Sequence, residues 1–169
     1  MTVEITESGI TFGPFEARDV YQIEHCPAAT ALGNGIKRVE FIVCVPTAEP
    51  HFCLVEAKSS IPREQGTFWP PVIDKFTHSL LVWAFAANGR HTRVTPALPL
   101  RFQEAGWQGK RIRLVLVIPD APDHMLPAFS DSFKQRAAGI VRASGITLSD
   151  VVVLNMQRAR TAGLINSPN

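Results

Sequence analysis

Cysteine, charge of one sign and long apolar runs are all scarce in this chain. Cysteine occurs at Cys26, Cys44 and Cys53 only, never as a CxxC pair. An odd count leaves at least one thiol unpaired within a monomer, which excludes a disulfide scaffold and suits a reducing, cytoplasmic setting. Net charge is only +2, from 17 basic and 15 acidic residues, so nothing in the overall charge calls for a polyanionic partner. No apolar stretch reaches the roughly 18 residues of a membrane span, so no membrane partner is expected. Met1 to Gly13 has neither a basic leader nor an apolar one, and the chain reads as unexported. Repeats, low-complexity tracts, a Walker loop, a GxGxxG turn after a strand and a GxSxG elbow are missing as well. Their absence argues against solenoids and against the common nucleotide, dinucleotide and hydrolase folds.

What is present is enough apolar residue, 46% of 169, to build a core in one domain over residues 1–169. The first third reads as β. Segments near Ile10 to Phe15 and Val20 to His25 are predicted strands, and Gly33-Asn34-Gly35 is a turn. The run Val39 to Val45 and the run Phe52 to Lys58 flank the short loop Pro46 to Pro50, which predicts an antiparallel hairpin. Pro70-Pro71 is expected to open a helix running Val72 to Ala87, ended by Asn88-Gly89. Ile112 to Ile118 predicts a strand buried on both faces. A second helix is expected from a Ser130 or Asp131 cap to Gly145, then a last strand Val151 to Leu154 and a frayed tail from Gly163. The order is a β-meander followed by helix, strand, helix, strand, an α/β (α+β) fold with a mixed sheet.

One constellation carries chemistry. Residues two apart in a strand share a face, so Glu56 and Lys58 project together. Glu40 interrupts the partner run, where a carboxylate is costly unless it meets a cation or a cleft. If opposing residue numbers sum to an even value, 96 or 98, Glu40 joins Glu56 and Lys58 on one face; the odd sum, 97, instead puts Cys44 opposite Cys53 and sends Glu40 to the other side. The even register is preferred. Adjacent carboxylates repel unless a divalent cation sits between them, and Mg²⁺ or Mn²⁺ held by one or two carboxylates also takes phosphate oxygens. Lys58 beside such an ion suits it to orient water or to stabilise charge on a phosphate.

With these residues in hand, the chain resembles the PD-(D/E)XK nuclease superfamily, the restriction-endonuclease-like fold. The pieces are Val39-Glu40-Phe41-Ile42 and Val55-Glu56-Ala57-Lys58, followed by a helix. The resemblance spans roughly residues 20 to 155 in topology and about twenty residues in motif. It implies Glu40, Glu56 and the carbonyl of Ala57 as metal ligands, Lys58 as the catalytic lysine, and Glu24 or Glu16 as a further acid. It departs from the family in having Glu at 40, where Asp is usual, and no preceding proline. It implies hydrolysis of phosphodiester bonds in nucleic acid, DNA ahead of RNA, with a protein partner or homodimer supplying target selection.

The acid-x-Lys tripeptide alone arises about once by chance in a chain this long, so two blander readings stand beside the nuclease. One is a cross-strand ion cluster on a solvated sheet face. The other is a non-catalytic assembly or nucleic-acid-holding module of the same fold. Ser59 and Ser60 could donate to a phosphate but read more readily as the start of a loop; Lys75 and His78, one turn apart, could approach the site from the helix side but read more readily as a solvated helix face; Trp83 reads as core. Trp69 and Trp107 are placed in loops, as interface candidates. The basic groups Lys110, Arg111, Arg113 and Arg90, His91, Arg93 could track a nucleic-acid backbone or be ordinary surface. His25-Cys26 and His51 with Cys53 lack a second pair at zinc spacing.

Overall fold

The computed structural model describes residues 1–104 and 110–166. The expectation for Trp107 falls outside the described residues. The chain opens with a hairpin of β1 (Thr2–Glu7) and β2 (Ile10–Glu16). There follow β3 (Val20–Tyr21), a single turn α1 (Pro27–Thr30), β4 (Phe41–Val45), β5 (His51–Ala57) and the long helix α2 (Gln65–Ala87). The remainder is α3 (Leu100–Glu104), β6 (Arg111–Val117), α4 (Leu126–Ser144), β7 (Val151–Leu154) and α5 (Met156–Thr161).

Strands β3 to β7 form one mixed sheet in sequence order. β3, β4 and β5 are antiparallel, whereas β5, β6 and β7 are parallel and are linked by the helical crossovers α2 and α4. This is the mixed α/β architecture expected from the order of the segments. β4, β5 and most of β6 are covered on both sides, which explains why their apolar runs are nearly continuous rather than alternating. Ile42, Cys44, Phe52, Leu54, Leu114 and Leu116 pack beneath α2 and α4. Phe41, Val43, Cys53, Val55, Ala57 and Val115 pack on the β1–β2 hairpin and α5.

Four boundaries differ from expectation. α2 begins at Gln65, so Pro70 and Pro71 lie inside it instead of opening it. The bonds they cannot make are those to the carbonyls of Gly66 and Thr67, whose residues are exposed and open to water. α4 begins at Leu126 with Pro127 in its first turn. Ser130 is no cap: its hydroxyl accepts the Val153 N–H at 3.1 Å, pinning α4 to β7. β3 ends at Tyr21 because the Ile23 N–H turns back to the Tyr21 carbonyl, so the chain leaves the sheet before Glu24. The tail is docked as far as Asn166: Leu164 is fully buried, and Gly13 exchanges backbone bonds with Leu164 and Asn166.

Candidate active site

The β4–β5 register sums to 96, with Phe41 opposite Val55 and Ile42 opposite Leu54. Glu40, one residue before β4, therefore falls level with Glu56 on the even-numbered face, the face that α2 covers. Lys58 continues β5 by one residue, its N–H donating to the Val117 carbonyl at 2.9 Å. The even register thus brings Glu40, Glu56 and Lys58 together, and Cys44 pairs with Phe52 rather than Cys53. The three cysteines are free thiols.

The face is not solvated. Glu56 has no exposure at all and Glu40 is buried, which removes the reading of an ion cluster on an open sheet surface. Lys58 Nζ stands 2.7 Å from Glu56 Oε1. A second ammonium, that of Lys75 on α2, stands 3.0 Å from the same oxygen and 3.5 Å from Oε1 of both Glu40 and Glu24. Both lysines crowd Glu56 Oε1 without hydrogen-bond geometry, and among the described residues Oε2 has no partner. Lys75 was expected on a solvated helix face; it is instead the cation on which three carboxylates converge.

Local stitching explains this. Ser79, fully buried on α2, accepts the Val39 N–H at 2.9 Å, and His78 Nδ1 accepts the Lys37 N–H at 3.0 Å. Asp74 pairs with Lys37 at 2.9 Å. Residues 74, 75, 78 and 79, two faces of one helical turn, thus clamp the segment that delivers Glu40. Lys75 lies between Val72 and Ser79, both buried, so the helix period aims it at the sheet. That position was the readable signal: a lysine three residues after one core position and four before another, facing a strand with a carboxylate in it.

Of the two upstream acids, Glu24 belongs to the site. Glu16 is exposed and sits 3.6 Å from the terminal ammonium of Met1. Burial, then the neighbouring Glu24 carboxyl and the charge of Glu56, push the Glu40 carboxyl up to about 9. Glu24 is held below its usual range, because the bond from Glu40 and the charge of Lys75 together outweigh its burial. Burial likewise raises Glu56, against the pull of Lys75 and Lys58. Burial depresses Lys75, but the charges of Glu56 and Glu40 outweigh it and its pKa is raised.

The donor set is all oxygen: the carboxylates of Glu24, Glu40 and Glu56 and the carbonyl of Ala57, which already accepts a bond from the Ser8 hydroxyl at 3.2 Å. Oxygen donors are the chemistry that Mg²⁺ or Mn²⁺ takes rather than a soft metal, but among the described residues Glu24, Glu40 and Glu56 are not drawn as close together as a bound ion would hold them. Glu7, Glu24 and His25 also lie close together, with His25 Nε2 3.0 Å from Glu7 Oε1. That partly exposed cluster is not evidence for Mg²⁺.

Other candidates lie elsewhere. Trp69, placed in a loop by sequence, is buried in α2 and stacks on Phe133 at 5.7 Å. Trp83 is core, as expected. Arg111 and Arg113 are engaged by Asp150 at the start of β6, about 17 and 10 Å along the strand from the level of Glu56. Arg90 and its neighbours follow the far end of α2, about 20 Å from Lys75. Neither basic group adjoins the carboxylates. A groove of about 640 Å³ between α2 and α4, lined by Ile73, Leu80, Leu81 and Ile140 among others, does not include them either. No helix among the described residues is long and apolar enough to cross a membrane. Comparison with protein-family models, with curated proteins and with solved structures found no match.

Proposed function

We propose that the chain is a metal-dependent nuclease-like domain of the restriction-endonuclease-like kind, hydrolysing phosphodiester bonds in nucleic acid. The observation that carries this is Glu56: a carboxylate with no exposure, one oxygen unpartnered, level with Glu40 and followed by Lys58. A fold gains nothing in stability from a half-satisfied buried charge, so a function is the better reason for it.

Glu40, Glu56 and the Ala57 carbonyl would hold Mg²⁺ or Mn²⁺, with Glu24 at the outer edge. When bound, that ion polarises the phosphate and acidifies a water. Lys58 is the partly exposed lysine, at 35% side-chain exposure, and sits where it can meet both solvent and a phosphate oxygen. Its ammonium would orient the attacking water or stabilise charge building on the phosphate. The sheet and α2 exclude bulk water from Glu56 while Lys58 keeps contact with it. DNA is the expected substrate class ahead of RNA.

The second reading is a non-catalytic module of the same architecture. Leu81 and Phe85, exposed on α2 beside the apolar groove, favour it, because such a face suits a protein partner or homodimer. One experiment separates the two. Single- and double-stranded DNA and RNA are incubated with the protein in Mg²⁺ and then Mn²⁺, with Lys58→Ala and Glu56→Ala alongside. Cleavage lost in both folded variants supports the nuclease. No cleavage of any substrate, with no stabilisation by either metal, leaves the module.

A further inference from the structure

Lys75 has no role in that chemistry, yet it is the best-coordinated cation in the site. Three carboxylates reach it from three separate parts of the chain: Glu24 from the turn after β3, Glu40 from the start of β4 and Glu56 from the end of β5. Convergence of this kind on one point is what a shared metal ion requires. We propose that Lys75 is a tethered ammonium that holds the cation position while the metal is out, and that a divalent ion displaces it. This rests on the metal-site reading above and adds how that site is kept in its metal-free form.

The two lysines differ in ways that assign them different parts. Among the described residues Lys58 pairs with Glu56 alone, from the strand end, and it is the more exposed of the two lysines. It can stay when an ion binds toward Glu40. Lys75 stands between Glu56, Glu40 and Glu24, where an ion would stand, and two cations cannot share that place. Its contacts with Glu40 and Glu24, at 3.5 Å, are long for an ammonium, so it neutralises the cluster without filling it well. A divalent ion with short oxygen contacts does both.

Displacement needs no movement of backbone. The bonds from Val39 to Ser79 and from Lys37 to His78 fix α2 against the segment carrying Glu40, so the helix stays in place. The four-carbon stem of Lys75, whose side chain is 20% exposed and already borders solvent, rotates away, and the carboxylates, now 3.0–3.5 Å from the ammonium, close in on the ion by side-chain rotation. The metal-free protein therefore spends most of its time in a form that cannot take up the ion, which lowers apparent affinity by the competent fraction.

The test is a calorimetric titration of Mn²⁺ into the full chain and into Lys75→Met and Lys75→Gln. Both variants are expected to bind Mn²⁺ about 10-fold tighter than the parent or more. Alongside, labelling of the parent with an amine-acylating reagent, read at Lys75 by peptide mass spectrometry, is expected to quicken severalfold when Mn²⁺ replaces EDTA. This second readout needs no variant and stands if either substitution disturbs folding. Mn²⁺ binding to the parent with affinity unchanged or weaker in the variants, or Lys75 equally shielded at saturating Mn²⁺, overturns the displacement while leaving the metal site in place. Mn²⁺ taken up by none of the three proteins overturns the metal site and the displacement together.

Discussion

A carboxylate at position 56 is an expensive choice for a strand end that packs under a helix. Leu54, two residues earlier on the same face, shows what the packing there accepts. Burial raises the Glu56 carboxyl, and Lys75 and Lys58 only partly offset it while remaining able to turn to water. Exchanging a buried charge for an apolar group of similar length is therefore expected to stabilise the fold. Glu56→Met should raise metal-free stability by about 1 kcal/mol in denaturant unfolding while abolishing Mn²⁺ uptake. A loss of several kcal/mol would instead mean that the ion cluster exists to hold the fold together. Lys58→Ala belongs to the same scale: a partly exposed lysine at a strand end contributes within about 1 kcal/mol, so its loss should appear in cleavage and hardly in unfolding.

Elements set where these residues meet, and here legibility from sequence was uneven. The β4–β5 pairing could be read because a period of two leaves only an even or an odd register, and burying a lone Glu40 away from any cation would be costly. Lys75 was half legible: its spacing from Val72 and Ser79 aims it at the sheet, but the carboxylates it meets come from other elements. Ser79 was silent, since a serine in a helix says nothing about a backbone N–H forty residues away. Removing its hydroxyl leaves the buried Val39 N–H unpaired. Ser79→Ala is expected to cost about 1–3 kcal/mol and to lower cleavage by freeing Glu40, measurable by paired unfolding and activity assays. The short α5, six residues capped by Asn155, was too brief for periodicity to reveal.

The start of β6 offers a pH test at the same scale. Asp150 is buried and accepts from Arg111 at 2.8 Å and from the Thr147 hydroxyl at 2.6 Å. Burial alone would raise its carboxyl, but Arg111 and Thr147 together hold it below the usual aspartate range. A depressed carboxyl stabilises the fold above its unfolded value, about 4, and that contribution is lost as pH falls through the folded value. Arg111 is half exposed, so solvent screening trims the effect: Asp150→Asn should cost about 1–2 kcal/mol at neutral pH. The gap from the parent should narrow below about pH 4 in a pH series of unfolding curves, and a gap independent of pH would contradict this.

Across the molecule, a sheet covered on both faces holds the site at the end of its middle strand β5, and the hairpin and the C-terminal segment close the side away from α2. The expected frayed tail fails at Leu164 because a single apolar residue after a glycine carries no periodicity, although it fills a pocket under β2 and α5. Ending the chain after Thr161 is expected to cost about 2–4 kcal/mol, from the buried leucine and the backbone bonds to Gly13, as read by thermal unfolding.

Anomalous diffraction from crystals grown with Mn²⁺ tests most directly the proposed binding of a divalent ion by Glu40 and Glu56. The expected result is a peak bound by Glu40, Glu56 and the Ala57 carbonyl, with the Lys75 ammonium no longer between the carboxylates. An empty map at saturating Mn²⁺, with Lys75 still bonded to Glu24, Glu40 and Glu56, would contradict it.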